Sequence, residues 1–268
     1  MIPKVIHYCW FGSGELPEKD KKCIESWKKY CPDYEIRLWN ESNYDVKKNR
    51  YMYQAYKARK WGFVPDFARL DIIYNYGGIY LDTDVELVKN IDNLLNNEAY
   101  MGFEKSVYIN PGLGFGAVPR HKGIKKILDI YNDLAFVKED GTLNTTPSPI
   151  MNTRFLMNYG VKMEDREQEV LGIKIYPSDY LCPMDYATGE IFMTQNTCSI
   201  HRYSMSWIDP ATKKWKERER AIARKIGKEK AKKLIRFVSF PDRVMQKVKT
   251  LGFKKTISLA VGKLRKDK

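Results

Sequence analysis

The chain has 268 residues, 43% hydrophobic and 13% aromatic, enough to bury one large core or two small ones. No run approaches the roughly 18 apolar residues of a membrane-spanning helix, Met1-Ile2-Pro3-Lys4-Val5 lacks the pattern of a secretory leader, and five cysteines without Cys-x-x-Cys spacing argue against a disulfide framework or zinc cluster. The net charge of +14 is concentrated at one end: residues 209–268 hold 21 Lys and Arg against 6 Asp and Glu, leaving 26 against 27 for residues 1–208.

Lys4 to Trp10 is a short apolar, β-branched run ending at Gly12 and Gly14, which reads as a strand and a glycine-containing loop. A helix is expected over Pro17–Tyr30, a strand over Tyr34–Trp39, and a helix over Tyr51–Trp61. Pro65 opens the next helix, a position where its missing N–H costs nothing; Phe67, Leu70 and Tyr74 form its apolar stripe, and Gly77 ends it. Ile79–Leu81 is the following strand. Further strands are expected at Ala99–Phe103, Gly112–Val118 and Ile173–Pro177, and helices at His121–Phe136 and Ser148–Tyr159. Strands alternating with helices predict an α/β fold with a mostly parallel sheet over residues 1–208. From Asp209 the texture changes to two basic segments, Trp215–Phe240 and Pro241–Leu264, in which apolar residues recur among Lys and Arg; both read as basic amphipathic helices of a C-terminal extension.

The most informative stretch is Gly77-Gly78-Ile79-Tyr80-Leu81-Asp82-Thr83-Asp84. Two carboxylates, two residues apart, stand where an apolar strand stops, and acceptor-only oxygens in that position suit a hard divalent cation. Element lengths extend the site. A helix of about 12 residues runs roughly 18 Å and the strand after it returns about 20 Å. Asp82 and Asp84 therefore come back beside the start of that helix, where Asp66 and Arg69 share a face. Asp82 and Asp84 would hold the metal, Arg69 would stabilise phosphate charge, and Asp66 would accept hydrogen bonds from sugar hydroxyls. Taken singly, Trp10 reads as core, Tyr80 as sheet packing and His7 as a structural histidine.

Three stretches together, Ile2 to Gly12, Asp66-Phe67-Ala68-Arg69 and Tyr76 to Asp84, resemble glycosyltransferase family 32, the DXD sugar-binding group, with a more distant likeness to the glucosyltransferase domains of clostridial toxins. The resemblance spans residues 2 to about 207. It implies a GT-A fold, a nucleotide-sugar donor with UDP favoured, Mn²⁺ or Mg²⁺ at the donor diphosphate, and retention at the anomeric carbon. It implies that Trp10 stacks on the nucleobase, that Asp66 and Arg69 grip sugar and diphosphate, that Tyr80 lies near the nucleotide, and that Asp82 and Asp84 hold the metal. Asn110, in Ile109-Asn110-Pro111-Gly112, resembles the residue that approaches the transferred sugar, although Pro111 and Gly112 depart from the usual small polar run. His201 with Ser206 and Trp207 resembles the motif that closes over metal and diphosphate. The implied acceptor is a glycan or lipid-linked sugar of bacterial surface polysaccharide synthesis.

The basic extension is expected to meet an anionic membrane surface, on the inner face of the cell membrane and hence in the cytoplasm; no motif for specific nucleic-acid binding is present. Two other readings compete. A basic membrane- or RNA-binding module leaves the carboxylate grouping without purpose. A haloacid-dehalogenase-like phosphatase needs Thr or Val two residues after the second Asp, where this chain has Glu86.

Overall fold

A computed structural model describes residues 1–105, 107–205 and 210–238. Its centre is a seven-stranded sheet in the order β2-β1-β3-β6-β5-β8-β7, with β1 Val5–Cys9, β2 Glu35–Trp39, β3 Gly78–Tyr80, β5 Ala99–Gly102, β6 Phe115–Ala117, β7 Gln168–Val170 and β8 Ile173–Tyr176. A two-stranded ribbon pairs β4 Val85–Leu87 with β9 Ser199–His201. The α/β class, a sheet flanked by helices, follows as expected.

One expectation needs correction. The sheet is mixed, not mostly parallel: β1–β2, β1–β3 and β5–β8 run parallel, whereas β3–β6, β5–β6 and β7–β8 run antiparallel. The cause is connection type. Helical crossovers join β1 to β2 and β2 to β3, while the chain returns from β5 to β6 through a loop whose described residues form just the short 3₁₀ turn Pro111–Leu113, and a loop return reverses direction.

Alternation along the strands divides the core. Cys9, Tyr80, Met101, Phe115 and Ile175 face α2 Arg50–Lys57, α3 Pro65–Tyr76, α4 Lys122–Asp129 and α5 Ser148–Met157 on one side. Ile6, Ile79 and Tyr100 face α1 Glu18–Tyr30, the short α6 Ser178–Leu181 and the ribbon on the other. Helix α3 is buried at every position from Asp66 to Ile73, so the stripe of Phe67, Leu70 and Tyr74 understates its burial: it lies enclosed between sheet and helices, carrying Asp66, Arg69 and Asp71 inward.

Several boundaries moved. The helix expected to Trp61 stops at Lys57, and a 3₁₀ turn, Trp61–Phe63, follows. The helix expected to Phe136 stops at Asp129. β3 is only three residues long, so Asp82 and Asp84 sit in the turn between β3 and β4 and not on a continuing strand.

The chain divides into two compact units, residues 1–186 with 190–209, and residues 187–189 with 210–268. In the second, α7 Pro210–Ile226 and α8 Lys228–Val238 flank Gly227 at φ +80°, which splits the first basic segment into two helices. The segment Pro241–Leu264 lies outside the described residues. No helix among the described residues is long and apolar enough to cross a membrane.

Candidate metal and nucleotide-sugar site

Two glycines set the path into the site. Gly77 caps α3 through its N–H to Ile73 O at 2.9 Å with φ +67°, and Gly78 follows at φ +93° with no room for a Cβ beside Val5 O. His7 reinforces the bend. Trp39 Nε1 donates to its Nδ1 at 3.0 Å, so its Nε2–H faces Gly77 O at 3.1 Å. Burial lowers the His7 pKa to about 4, and the ring is a neutral structural group.

The Asp82–Asp84 turn is held from below by α1. Thr83 Oγ1 donates to the buried Asp20 at 3.0 Å, Trp27 Nε1 donates to Val85 O at 2.7 Å, and Leu87 N donates to Ser26 Oγ at 2.9 Å. Val85 N closes the turn on Asp82 O at 3.0 Å.

The four charged groups expected at one rim do meet there. Arg69 Nη1 lies 3.3 Å from Asp82 Oδ2 and Nη2 lies 3.0 Å from Asp66 Oδ1, while Nε donates to Pro65 O. The guanidinium sits 5.2 Å from the Tyr80 ring centroid. Burial works against its charge, but Asp82, Tyr80 and Asp66 outweigh burial and raise its pKa. Burial lifts the Asp66 carboxyl to about 6 against the pull of Arg69. It also raises Asp82, again opposed by Arg69.

The ribbon explains a residue that spacing alone does not find. β9 pairs with β4 so that His201 stands opposite Val85, beside Asp84. His201 Nε2 lies 3.2 Å from Asp84 Oδ1, and Ser204 N donates to Asp84 Oδ2 at 2.7 Å. Burial penalises both charges, yet the pair prevails: Asp84 is held well below the usual carboxylate range, and His201 is raised.

Asp82, Asp84 and His201 each offer a donor atom, all within 4.8 Å of one another. Two carboxylates and one imidazole suit Mn²⁺ or Mg²⁺. His201 Nδ1 is buried and has no hydrogen-bond partner, an orphan of the kind a functional site retains. The donor set therefore fits a divalent cation. Gly112 lies against it: a Cβ there would sit 2.3 Å from Asp82 Oδ2.

These groups line a cleft of about 640 Å³. Trp10 lies half-buried on its wall, with Nε1 donating to Gly14 O at 2.6 Å. Asn110 is on the lining, its Oδ1 accepting from Gly112 N at 2.8 Å and its Nδ2 donating to Glu104 at 3.2 Å. Tyr80 is on the cleft lining as well, though the residue is only 1% exposed, and its hydroxyl donates to Asp82 Oδ1 at 3.0 Å, so it orients the carboxylate. Ser206 and Trp207 lie outside the described residues. Sequence reasoning missed Glu104, Trp61, Tyr186 and Tyr203, all on the cleft wall. Tyr203, two residues beyond His201, stacks edge-on against it at 4.2 Å, and no motif marks it.

Residues 17–101 match the family model described as the glycosyltransferase sugar-binding region containing the DXD motif, so the chain carries that region. Inositol phosphoceramide mannosyltransferase 3 of Schizosaccharomyces pombe is 34% identical over 115 residues, 37% of this chain and 29% of its own length. An uncharacterized glycosyltransferase of Acanthamoeba polyphaga mimivirus is 29% identical over 224 residues, 77% of this chain and 84% of its own. The chain spans 29–40% of the length of the five yeast mannosyltransferases it matches. Among solved structures, the PaToxG glycosyltransferase aligns at TM-score 0.45 and 20% identity, over 59% of this chain and 69% of that one. These sequence relatives are fungal and viral proteins, not enzymes of bacterial capsule synthesis.

Proposed function

We propose that the chain is a divalent-metal-dependent glycosyltransferase that moves a hexosyl group from a nucleotide sugar to a glycan or lipid-linked acceptor. The observation that carries this reading is the convergence of Asp82, Asp84 and His201 donor atoms within 4.8 Å, beside the buried Arg69, in a cleft large enough for a nucleotide sugar. Asp82, Asp84 and His201 would hold Mn²⁺ or Mg²⁺, which when bound supplies positive charge to a diphosphate leaving group.

The chain's own residues do the rest. Arg69 is a fixed cation in a water-poor site, where charge acts strongly on a leaving phosphate oxygen. Asp66 anchors one edge of Arg69 and accepts from sugar hydroxyls. Tyr80 and Gly112 hold the Asp82 carboxylate in position. Asn110 approaches the transferred sugar, and Trp10 offers its ring to the base, for which uridine is favoured. For retention, we favour entry of the acceptor on the face the diphosphate leaves, with a leaving-group oxygen taking the acceptor proton.

The fungal relatives are named as inositol phosphoceramide mannosyltransferases, which favours a lipid-linked acceptor over the bacterial surface polysaccharide expected from the sequence. The basic extension would bring a peripheral enzyme to an anionic membrane face, where such an acceptor resides. The test is a panel of UDP- and GDP-sugars assayed for Mn²⁺-dependent donor hydrolysis. One or more donors should be cleaved by the wild type and none by a folded Asp84→Asn variant. Equal turnover by that variant would overturn the assignment.

A further inference from the structure

Strand directions set an order along one edge of the sheet. β1 and β3 run parallel, and β6 runs antiparallel to both β3 and β5. The ends of β1, β3 and β5 and the start of β6 therefore share that edge. Along it stand Trp10 after β1, Asp82 after β3, Asn110 before β6 and Glu104 after β5. At about 4.8 Å per strand, Trp10 leaves the sheet roughly 5 Å to one side of Asp82, and Glu104 roughly 10 Å to the other. All four line the same cleft.

Glu104 is half-buried and held at its end of this row. Its N–H donates to Tyr108 O at 2.9 Å, and its carbonyl accepts from Val107 N at 2.8 Å. Asn110 Nδ2 donates to its Oε2 at 3.2 Å, and Tyr203 OH faces the same oxygen at 3.5 Å. Tyr186 packs edge-on against Tyr203 at 5.0 Å. Three tyrosines of the cleft wall, Tyr108, Tyr186 and Tyr203, are thus tied to this carboxylate.

A carboxylate accepts hydrogen bonds and donates none, and it repels a second anion. It suits hydroxyl groups and disfavours phosphate. Aromatic walls around a few fixed polar groups suit an uncharged ring with a hydroxylated edge. In the proposed reaction the transferred sugar lies by Asn110, one strand nearer the metal, so the ring that reaches Glu104 belongs to the acceptor. We infer that Glu104, with Tyr108, Tyr186 and Tyr203, forms the acceptor subsite and selects an uncharged polyhydroxylated ring, a hexopyranose, over a ring bearing an anionic group. Glu104 accepts from hydroxyls beside the attacking one, whose proton still goes to the leaving phosphate oxygen. The inference rests on the transferase reading and names the acceptor class for that site.

The test uses the full chain, Mn²⁺ and the nucleotide sugar cleaved in the donor panel. Methyl hexopyranosides serve as neutral acceptors, and the matching methyl hexopyranosiduronates as anionic ones. The wild type should transfer to at least one neutral glycoside and favour it over its uronate by about tenfold or more in kcat/KM. Glu104→Gln keeps the size and removes the charge, and should cut that preference by about tenfold or more. A ratio of two acceptors on one enzyme does not depend on the fraction folded, so lost stability cannot mimic the change. Wild-type transfer to none of the neutral glycosides, or an unchanged preference in Glu104→Gln, would overturn the inference. Either result alongside donor cleavage removes this inference alone; a panel in which no donor is cleaved removes the transferase reading beneath it.

Discussion

Gly112 offers a sharp test because its hardest clash falls on one carboxylate oxygen. A Cβ at that position would sit 2.3 Å from Asp82 Oδ2, 3.0 Å from Asn110 Oδ1 and 3.1 Å from Arg69 Nη1. In Gly112→Ala the Asp82 carboxylate must retreat by about 1 Å to reach an ordinary contact. Such a shift at a reacting centre costs about a hundredfold in turnover, while overpacking costs about 1–3 kcal/mol of stability. Gly114→Ala is the control. Gly114 has φ +119°, and its added Cβ would meet Leu81 Cδ2 at 2.7 Å, so that variant is strained without touching a metal-ligand atom. Mn²⁺ affinity by electron paramagnetic resonance, Mn²⁺-dependent donor hydrolysis and the unfolding midpoint should be read on both. Gly112→Ala should lose metal affinity and turnover out of proportion to stability, and Gly114→Ala should lose mainly stability. Wild-type metal affinity and turnover in Gly112→Ala, or equal losses in both, would refute the reasoning.

Other outcomes follow from the same geometry. Arg69→Leu leaves the buried Asp66 and the half-buried Asp82 without their cation and should destabilise the fold by about 3–5 kcal/mol; denaturant titration checks this, and a loss under 1 kcal/mol contradicts it. Asp66, lifted by burial from 3.8 to about 6, holds a proton in the folded state that the unfolded chain releases. Its contribution to stability is present below about pH 4 and is lost as pH rises through about 6. Asp66→Asn should therefore gain on the wild type by about 2 kcal/mol between pH 4 and 7, and a flat difference would contradict the assigned shift. Chelation should abolish donor cleavage, and Mn²⁺ should restore it in the wild type but not in a folded His201→Ala variant.

Much of this was legible in the sequence because it is written locally. Pro65 and Gly77 bracket α3, and the glycine pair with the carboxylates after it encodes the turn, so helix and strand lengths alone brought Asp66, Arg69 and Asp82 together. What was not legible depends on pairing between distant segments. His201 reaches Asp84 only because β9 docks on β4, and its sequence neighbourhood carries no spacing that says so; only the family resemblance named it. The mixed sheet was missed for a related reason, since an apolar strand reads alike in either direction and the connecting loop decides. Tyr80 reads as sheet packing from its own pattern and does join the core beside the cleft, but nothing local shows that its hydroxyl reaches Asp82. Glu104 and Tyr203 reach the cleft through loops that no periodicity describes.

The central claim is that Asp82, Asp84 and His201 grip a divalent ion at the donor diphosphate. Crystals grown with Mn²⁺ and the nucleotide sugar cleaved in the donor panel, measured at the manganese absorption edge, test it most directly. An anomalous peak about 2.0–2.3 Å from donor atoms of this triad and from diphosphate oxygens is the expected result. A peak elsewhere, or a bound donor with those side chains turned away and no ion between, would contradict it.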